Sequence, residues 1–210
     1  ELYYGPGAPL PLMAYDRRDG VLLAGSVSQT MLPGLRLGWL AGPGTVVERL
    51  AEIKMQMDDG CCPAAQQMLL RLLREGEYIR HLERLRAALR ERRDHMAALL
   101  EREMSGLAAW RLPAGGPFFW LRMREGVCME RVFRRCAQEG LLFCPGDMFG
   151  GESGAYLRLS FSRADMEEAA RGIGILAKAV RQELSVKQDK KCFIKNENTH
   201  KYLDYMSTNA

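Results

Sequence analysis

Lysine is scarce in this chain until its end. Before Ser185 only Lys54 and Lys178 occur, and arginine carries nearly all the positive charge. A chemistry that needs a side-chain primary amine therefore has few candidates in the body of the protein. No apolar run approaches the roughly 20 residues that a membrane-spanning helix needs, and the first residues lack the charged, apolar and small-residue zones of a signal peptide. Together these absences predict a cytoplasmic protein with no membrane partner. No C-x-x-C pair occurs among Cys61, Cys62, Cys128, Cys136, Cys144 and Cys192, and the adjacent Cys61 and Cys62 make a poor disulfide. That pattern argues against a metal centre and predicts reduced, mostly buried thiols. A large charge imbalance is also missing: 30 Lys plus Arg against 26 Asp plus Glu give a net charge of +4. The arginines fall among glutamates, as in "RHLERLRAALRERRDHMAALLERE", which reads as a solvated helix face, so no nucleic-acid binding is expected through this segment. An initiator methionine is absent too, and the Pro/Gly-textured opening "ELYYGPGAPLPLMAYDRRDG" reads as an ordered loop from the middle of something longer.

The 210 residues, 47% hydrophobic and 27% charged, are enough to bury a sizeable core. "VLLAG" fits a short strand buried on both faces, and "LRLGWLAG" a second strand. Pro43-Gly44-Thr45 opens a helix through about Met57. After Pro63 the apolar residues recur at spacings of three and four up to Met104, with Gly76 as a break into two helices. Then the texture changes to short strands, "AAWRLP", "GGPFFWLRM", "LLFCPG" and "AYLRLSFS", with helices near Met129 to Glu139 and from Ala164 to about Leu184. This mixture predicts a small α+β unit joined by a long helix to a partial α/β unit. The stretch 185–210 is rich in lysine and asparagine, unlike the body, and reads as a polar, disordered tail.

The stretch "GSVSQTMLPGLRLGW", Gly25 to Trp39, raises the functional question. It places the hydroxyls of Ser26, Ser28 and Thr30, flexible Gly34 and the guanidinium of Arg36 around one turn. Hydroxyl donors and a planar guanidinium fork suit a phosphate dianion. By spacing alone, a tight turn with capped ends is the stronger explanation of the same residues.

The stretch also resembles the S-x-S-K-x-x-x-P-G-x-R-x-G signature of class I/II aminotransferases, fold type I enzymes that use pyridoxal 5'-phosphate (PLP). The resemblance is to the branch holding 2-aminoadipate and aromatic aminotransferases and the aminotransferase-like domains of winged-helix regulators. It continues in order through "LREGEYIRHLERLRAALRERRDHM", "LPAGGPFFWLRM", "LLFCPGDMF" and "YLRLSFS", covering roughly residues 1 to 184. It implies an α/β fold, the C-terminal part of a PLP-dependent transferase, with a partial large-domain sheet (1–60), a long interdomain helical segment (61–104) and a small α+β domain (105–184). It implies PLP as cofactor, with Ser26, Ser28 and Arg36 at phosphate-binding positions, and Arg158 at the position that grips the substrate α-carboxylate. Amino acids and 2-oxo acids are the implied substrates, and a homodimer the implied assembly of the full-length family.

Gln29 departs from this pattern, because it stands where the family has the Schiff-base lysine. An amide nitrogen has no basic lone pair, so it can neither bond the cofactor nor shuttle a proton. The family's residues that stack on the pyridine ring and pair with its nitrogen would lie upstream of Glu1. Three readings stand: an impaired aminotransferase, an effector-sensing domain of a winged-helix regulator, and a remnant without chemistry. His81 and His95 are expected to face solvent, the "PFFW" cluster to pack in a core, and Arg158 could also be an ordinary edge-strand arginine.

Overall fold

The structure, a computed structural model, describes residues 1–58, 60–150 and 155–185. The expected disordered tail therefore lies outside the described residues, apart from Ser185. The chain forms two compact units, Glu1–Ala88 and Leu89–Ala210.

In the first unit, β1 (Leu23–Ser26) pairs antiparallel with β2 (Gly38–Ala41), Ser26 opposite Gly38 and Gly25 opposite Trp39. A Cβ at Gly25 would lie 2.1 Å from the Trp39 ring, so any larger residue there would displace that ring. The sequence predicted a first strand buried on both faces, and the structure corrects this. β1 and β2 form a two-stranded ribbon in which Trp39 is 44% and Leu40 49% exposed. An apolar run signals a strand that would be stable under cover, but does not itself supply the cover. Helix α1 (Gly44–Met57) begins after Pro43 and ends at a β-region cap, Asp58. Helix α2 (Pro63–Arg74) carries proline in its first turn, where the missing N–H costs nothing. Gly76, at φ 73°, then separates it from α3 (Glu77–Met104) in the left-handed backbone region that glycine enters freely. Val27, Leu37, Tyr78 and Leu82 are the buried core of this unit, with Met31, Leu35, Leu69 and Leu72 packed against them.

In the second unit, four antiparallel strands stand in the order β3-β4-β6-β5: β3 (Ala108–Trp110), β4 (Phe118–Met123), β6 (Tyr156–Ser160) and β5 (Cys144–Pro145). Burial alternates along β4 and β6, which puts Phe119, Leu121, Met123, Leu157 and Leu159 on the covered face. Helix α4 (Met129–Gln138) buries Met129, Val132, Phe133 and Cys136, and α5 (Met166–Ser185) buries Ile173, Leu176, Ala177 and Val180. The two helices are tied by Glu183, fully buried on α5, which accepts hydrogen bonds from Arg131 and Arg135 of α4. The opposite face of β4 and β6 carries Phe118, Trp120, Tyr156 and Arg158, so the "PFFW" cluster divides between the faces and only Phe119 is fully in the core. Among the described residues no helix is long and apolar enough to cross a membrane.

Candidate functional site

The turn after β1 is held by its own backbone. Val27 N–H donates to the Leu37 carbonyl, and the N–H groups of Thr30 and Met31 both donate to the Val27 carbonyl. Val27 is buried and Gln29 is exposed, so the turn presents residue 29 outward from an anchored base. No hydrogen bond or ion pair engages the Gln29 side chain among the described residues. Ser26 and Ser28 do meet, with their hydroxyl oxygens 3.1 Å apart and the Ser28 N–H donating to Ser26 Oγ.

Thr30 is buried and fully engaged. Its hydroxyl lies 2.9 Å from Tyr78 Oη, and its carbonyl 2.7 Å from His81 Nε2. His81 was expected to face solvent but is half-buried, because α3 turns this side toward the loop. His95 likewise meets the Met166 carbonyl at 3.2 Å.

Arg36 is exposed and adopts the left-handed conformation, φ 51° and ψ 38°, which costs a non-glycine residue about 1 kcal/mol. Its Nη1 donates to the Pro33 carbonyl at 3.3 Å, and no carboxylate pairs with it among the described residues. It lines a cavity of about 640 Å³ together with Lys54, Asp58, Cys61 and Cys62. Neither serine lines that cavity, so the pair of hydroxyls and the guanidinium are two donor groups on one loop. Lys54 Nζ is bound to Asp58 at 2.5 Å, and that hydrogen bond raises its pKa, holding the amine protonated.

Arg158 is in the second unit and is not on an edge strand, since β6 lies between β4 and β5. Its guanidinium carbon sits 4.0 Å from the centroid of Phe118 and 4.6 Å from that of Phe149. Trp120 packs edge-on against Phe149 at 5.4 Å and stacks on Tyr156 at 5.8 Å. Nη2 donates weakly to Cys144 Sγ at 3.5 Å, and no carboxylate forms an ion pair with Arg158 among the described residues. Two aromatic faces thus fix a charged fork whose remaining N–H groups are free to bind a carboxylate in its plane. Among the described residues no group of three His, Cys, Asp or Glu could hold a metal. Cys61, Cys62, Cys136 and Cys144 are free thiols; of these Cys136 is buried and Cys62 is exposed.

With this geometry in hand, residues 2–173 match the family described as aminotransferase class I and II. The chain belongs to that family. It is 38% identical over 182 residues to the HTH-type transcriptional regulator YisV of Bacillus subtilis, covering 87% of this chain and 38% of that protein. To the 2-aminoadipate transaminase of Thermus thermophilus it is 35% identical over 195 residues, covering 89% of this chain and 48% of the enzyme. The crystal structure of the α-aminoadipate aminotransferase LysN from T. thermophilus, complexed with N-(5'-phosphopyridoxyl)-L-leucine, superposes with a TM-score of 0.79 at 32% identity, over 88% of this chain and 49% of LysN. The chain thus spans half or less of the relatives it matches, and its fold is part of a PLP-dependent aminotransferase fold.

The donor set fits one end of the family's cofactor and not the other. Two hydroxyls and an unpaired guanidinium are suited to a phosphate, whereas Gln29 offers no amine to its aldehyde. The sequence assigns no role to Tyr78 or Phe149 and places His81 in solvent. The one signal that could have found Tyr78 and His81 is their i, i+3 spacing on α3, which puts both on one helix face.

Proposed function

We propose that this chain is the C-terminal portion of an aminotransferase-family protein that binds PLP and an amino or 2-oxo acid without transferring the amino group. Gln29 carries this reading, because it occupies the exposed position after Ser28 where the family has its lysine. Ser26, Ser28 and Arg36 would hold the phosphate, so binding is non-covalent. When bound to a complete enzyme of the family, PLP serves as an electron sink for substrate carbanions; this chain's own residues contribute phosphate and carboxylate recognition. Arg158 takes the ligand carboxylate, its guanidinium pre-oriented by Phe118 and Phe149. Lys54 is a poor substitute amine, because Asp58 keeps it charged. The test is incubation with PLP, borohydride reduction and peptide mapping. Reversible binding with no adduct in residues 25 to 40 is expected, and a stable adduct there would refute the reading.

A second reading is favoured by the HTH-type relatives: an effector-sensing, aminotransferase-like domain of a winged-helix transcriptional regulator. Reading the encoding DNA upstream of Glu1 separates the two. A basic helix-turn-helix segment supports the regulator, and an aminotransferase N-terminal arm the enzyme lineage. In either lineage a homodimer of the full-length protein is the proposed assembly.

A further inference from the structure

Thr30 follows the exposed residue 29 directly, and its polar atoms are all engaged although it is only 5% exposed. Its N–H donates to the Val27 carbonyl at 3.3 Å. Its carbonyl can only accept, so His81 must carry a hydrogen on Nε2 and donate it over 2.7 Å. The direction of the third bond follows from the next partner along. Tyr78 has a single hydroxyl hydrogen and gives it to the Glu1 carboxylate at 3.0 Å, so at 2.9 Å Thr30 Oγ1 must donate to Tyr78 Oη. Two residues on one face of the first turn of α3 therefore grip both the backbone and the side chain of Thr30. Tyr78 is itself 5% exposed and shares the core cluster with Val27, Leu37 and Leu82, so the grip is anchored in packed structure. On its other side residue 29 is tethered through buried Val27. Residue 29 is thus held at both ends while its own side chain makes no hydrogen bond or ion pair among the described residues.

We propose that Tyr78 and His81 are positioning residues for the side chain at position 29. His81 fixes the Thr30 peptide plane and Tyr78 fixes the Thr30 side chain, which together set the direction in which residue 29 leaves the turn. This rests on the proposed reading of the Ser26 to Arg36 loop as the cofactor loop. It adds that the first turn of α3, about 50 residues away in sequence, is part of the machinery that aims position 29.

The test uses the full chain carrying Gln29→Lys, in which the new ε-amine can add to the aldehyde of PLP with loss of one water. Borohydride supplies the hydride that reduces the resulting C=N bond to a stable secondary amine, and peptide mapping counts adduct at residue 29 per folded molecule. Removing a half-buried donor with His81→Ala should lower the rate of capture at residue 29 about tenfold or more, and Tyr78→Phe should lower it by a smaller factor. His81→Gln, which retains an N–H donor, should restore capture to within about threefold. Leu82→Ala loosens the same core without touching Thr30, and should leave capture per folded molecule unchanged.

In the same series without the lysine, amide hydrogen exchange at Thr30 and Met31 should quicken with His81→Ala and recover with His81→Gln. Capture in the lysine parent that survives His81→Ala overturns the positioning role and leaves the cofactor loop intact. If Leu82→Ala lowers capture as much as His81→Ala, the effect is general packing and the proposal falls. No capture at residue 29 in the lysine parent removes the cofactor-loop reading, and this inference with it.

Discussion

Replacing Glu183 by glutamine removes one negative charge from a side chain with 0% relative exposure and leaves its volume nearly unchanged. Arg131 Nε lies 3.0 Å from both carboxylate oxygens with Nη2 also in contact, and Arg135 Nη1 lies 3.2 Å from Oε2. A hydrogen bond to a charged group contributes about 1.5 to 3 kcal/mol, so two arginines set a gross ceiling of about 3 to 6 kcal/mol. The arginine side chains are 40% and 31% exposed, so both guanidiniums recover water when the charge disappears, and the glutamine carbonyl still accepts from one of them. That discount brings the expected loss to about 2 to 3 kcal/mol. The pH dependence supplies a second check. Burial pushes the Glu183 carboxyl up, but hydrogen bonding and charge from Arg131, with Arg135 behind it, outweigh burial and leave it below its ordinary 4.5. A depressed carboxylate stabilises the fold above its unfolded pKa, and this is lost as pH falls through the folded value. The parent's advantage over Glu183→Gln should be full near neutrality and shrink in acid. Urea unfolding in a Trp39→Phe background reads this, because Trp110 and Trp120, the other tryptophans, both lie in the second unit. A loss below about 0.5 kcal/mol at neutral pH, or one that does not change in acid, would refute the reasoning.

The remaining expectations concern the two ligand groups and two titratable or exposed positions. Arg36→Ala should weaken PLP binding about tenfold or more, measured by calorimetry, since one charge-assisted partner of the phosphate is lost. Arg158→Gln should weaken binding of a simple amino acid by a similar factor while leaving PLP affinity unchanged, because on the proposed reading Arg158 takes the carboxylate and not the phosphate. Burial raises the Asp147 carboxyl above its ordinary 3.8. Its charged form therefore costs stability as pH rises through the raised value, and Asp147→Asn should stabilise the chain at neutral pH with an advantage that vanishes in acid. Gln29→Lys should change stability by less than about 0.5 kcal/mol in denaturant unfolding, since the side chain is exposed and unbonded.

Local signals in the sequence account for most of the elements. The Pro43-Gly44 start and the Pro63 start are the observed helix starts, and Gly76 breaks the long helical region at a positive φ that other residues enter with strain. The strand expected in "GGPFFWLRM" is the observed β4, but its burial alternation divides the "PFFW" cluster that was expected to pack in the core. What local signals do not carry is which surfaces find a neighbour. "VLLAG" has the composition of a covered strand, but cover depends on other elements, and among the described residues β1 pairs with β2 alone. His81 shows the opposite error. Charged neighbours along α3 predicted a solvated face, yet a backbone carbonyl 51 positions away draws its ring inward, and a carbonyl leaves no trace in composition.

The candidate site divides along the same line. Ser26, Ser28, Arg36 and Arg158 are legible because hydroxyls and guanidiniums at fixed spacing match a family pattern, and their chemistry is a property of residue type. Phe118 and Phe149 pack on Arg158, and Tyr78 and His81 hold Thr30, contacts that are a property of the fold. The distinction explains how Gln29 can sit in an otherwise intact loop. The hydrogen bonds that shape the turn come from Val27, Leu37, Thr30 and Tyr78, none from residue 29 itself. A change of residue at that position should therefore leave folding free energy almost untouched. On the proposed reading, glutamine in place of the family's lysine would cost the fold little and remove the amine that transfer needs, so phosphate and carboxylate recognition could outlast amino-group transfer.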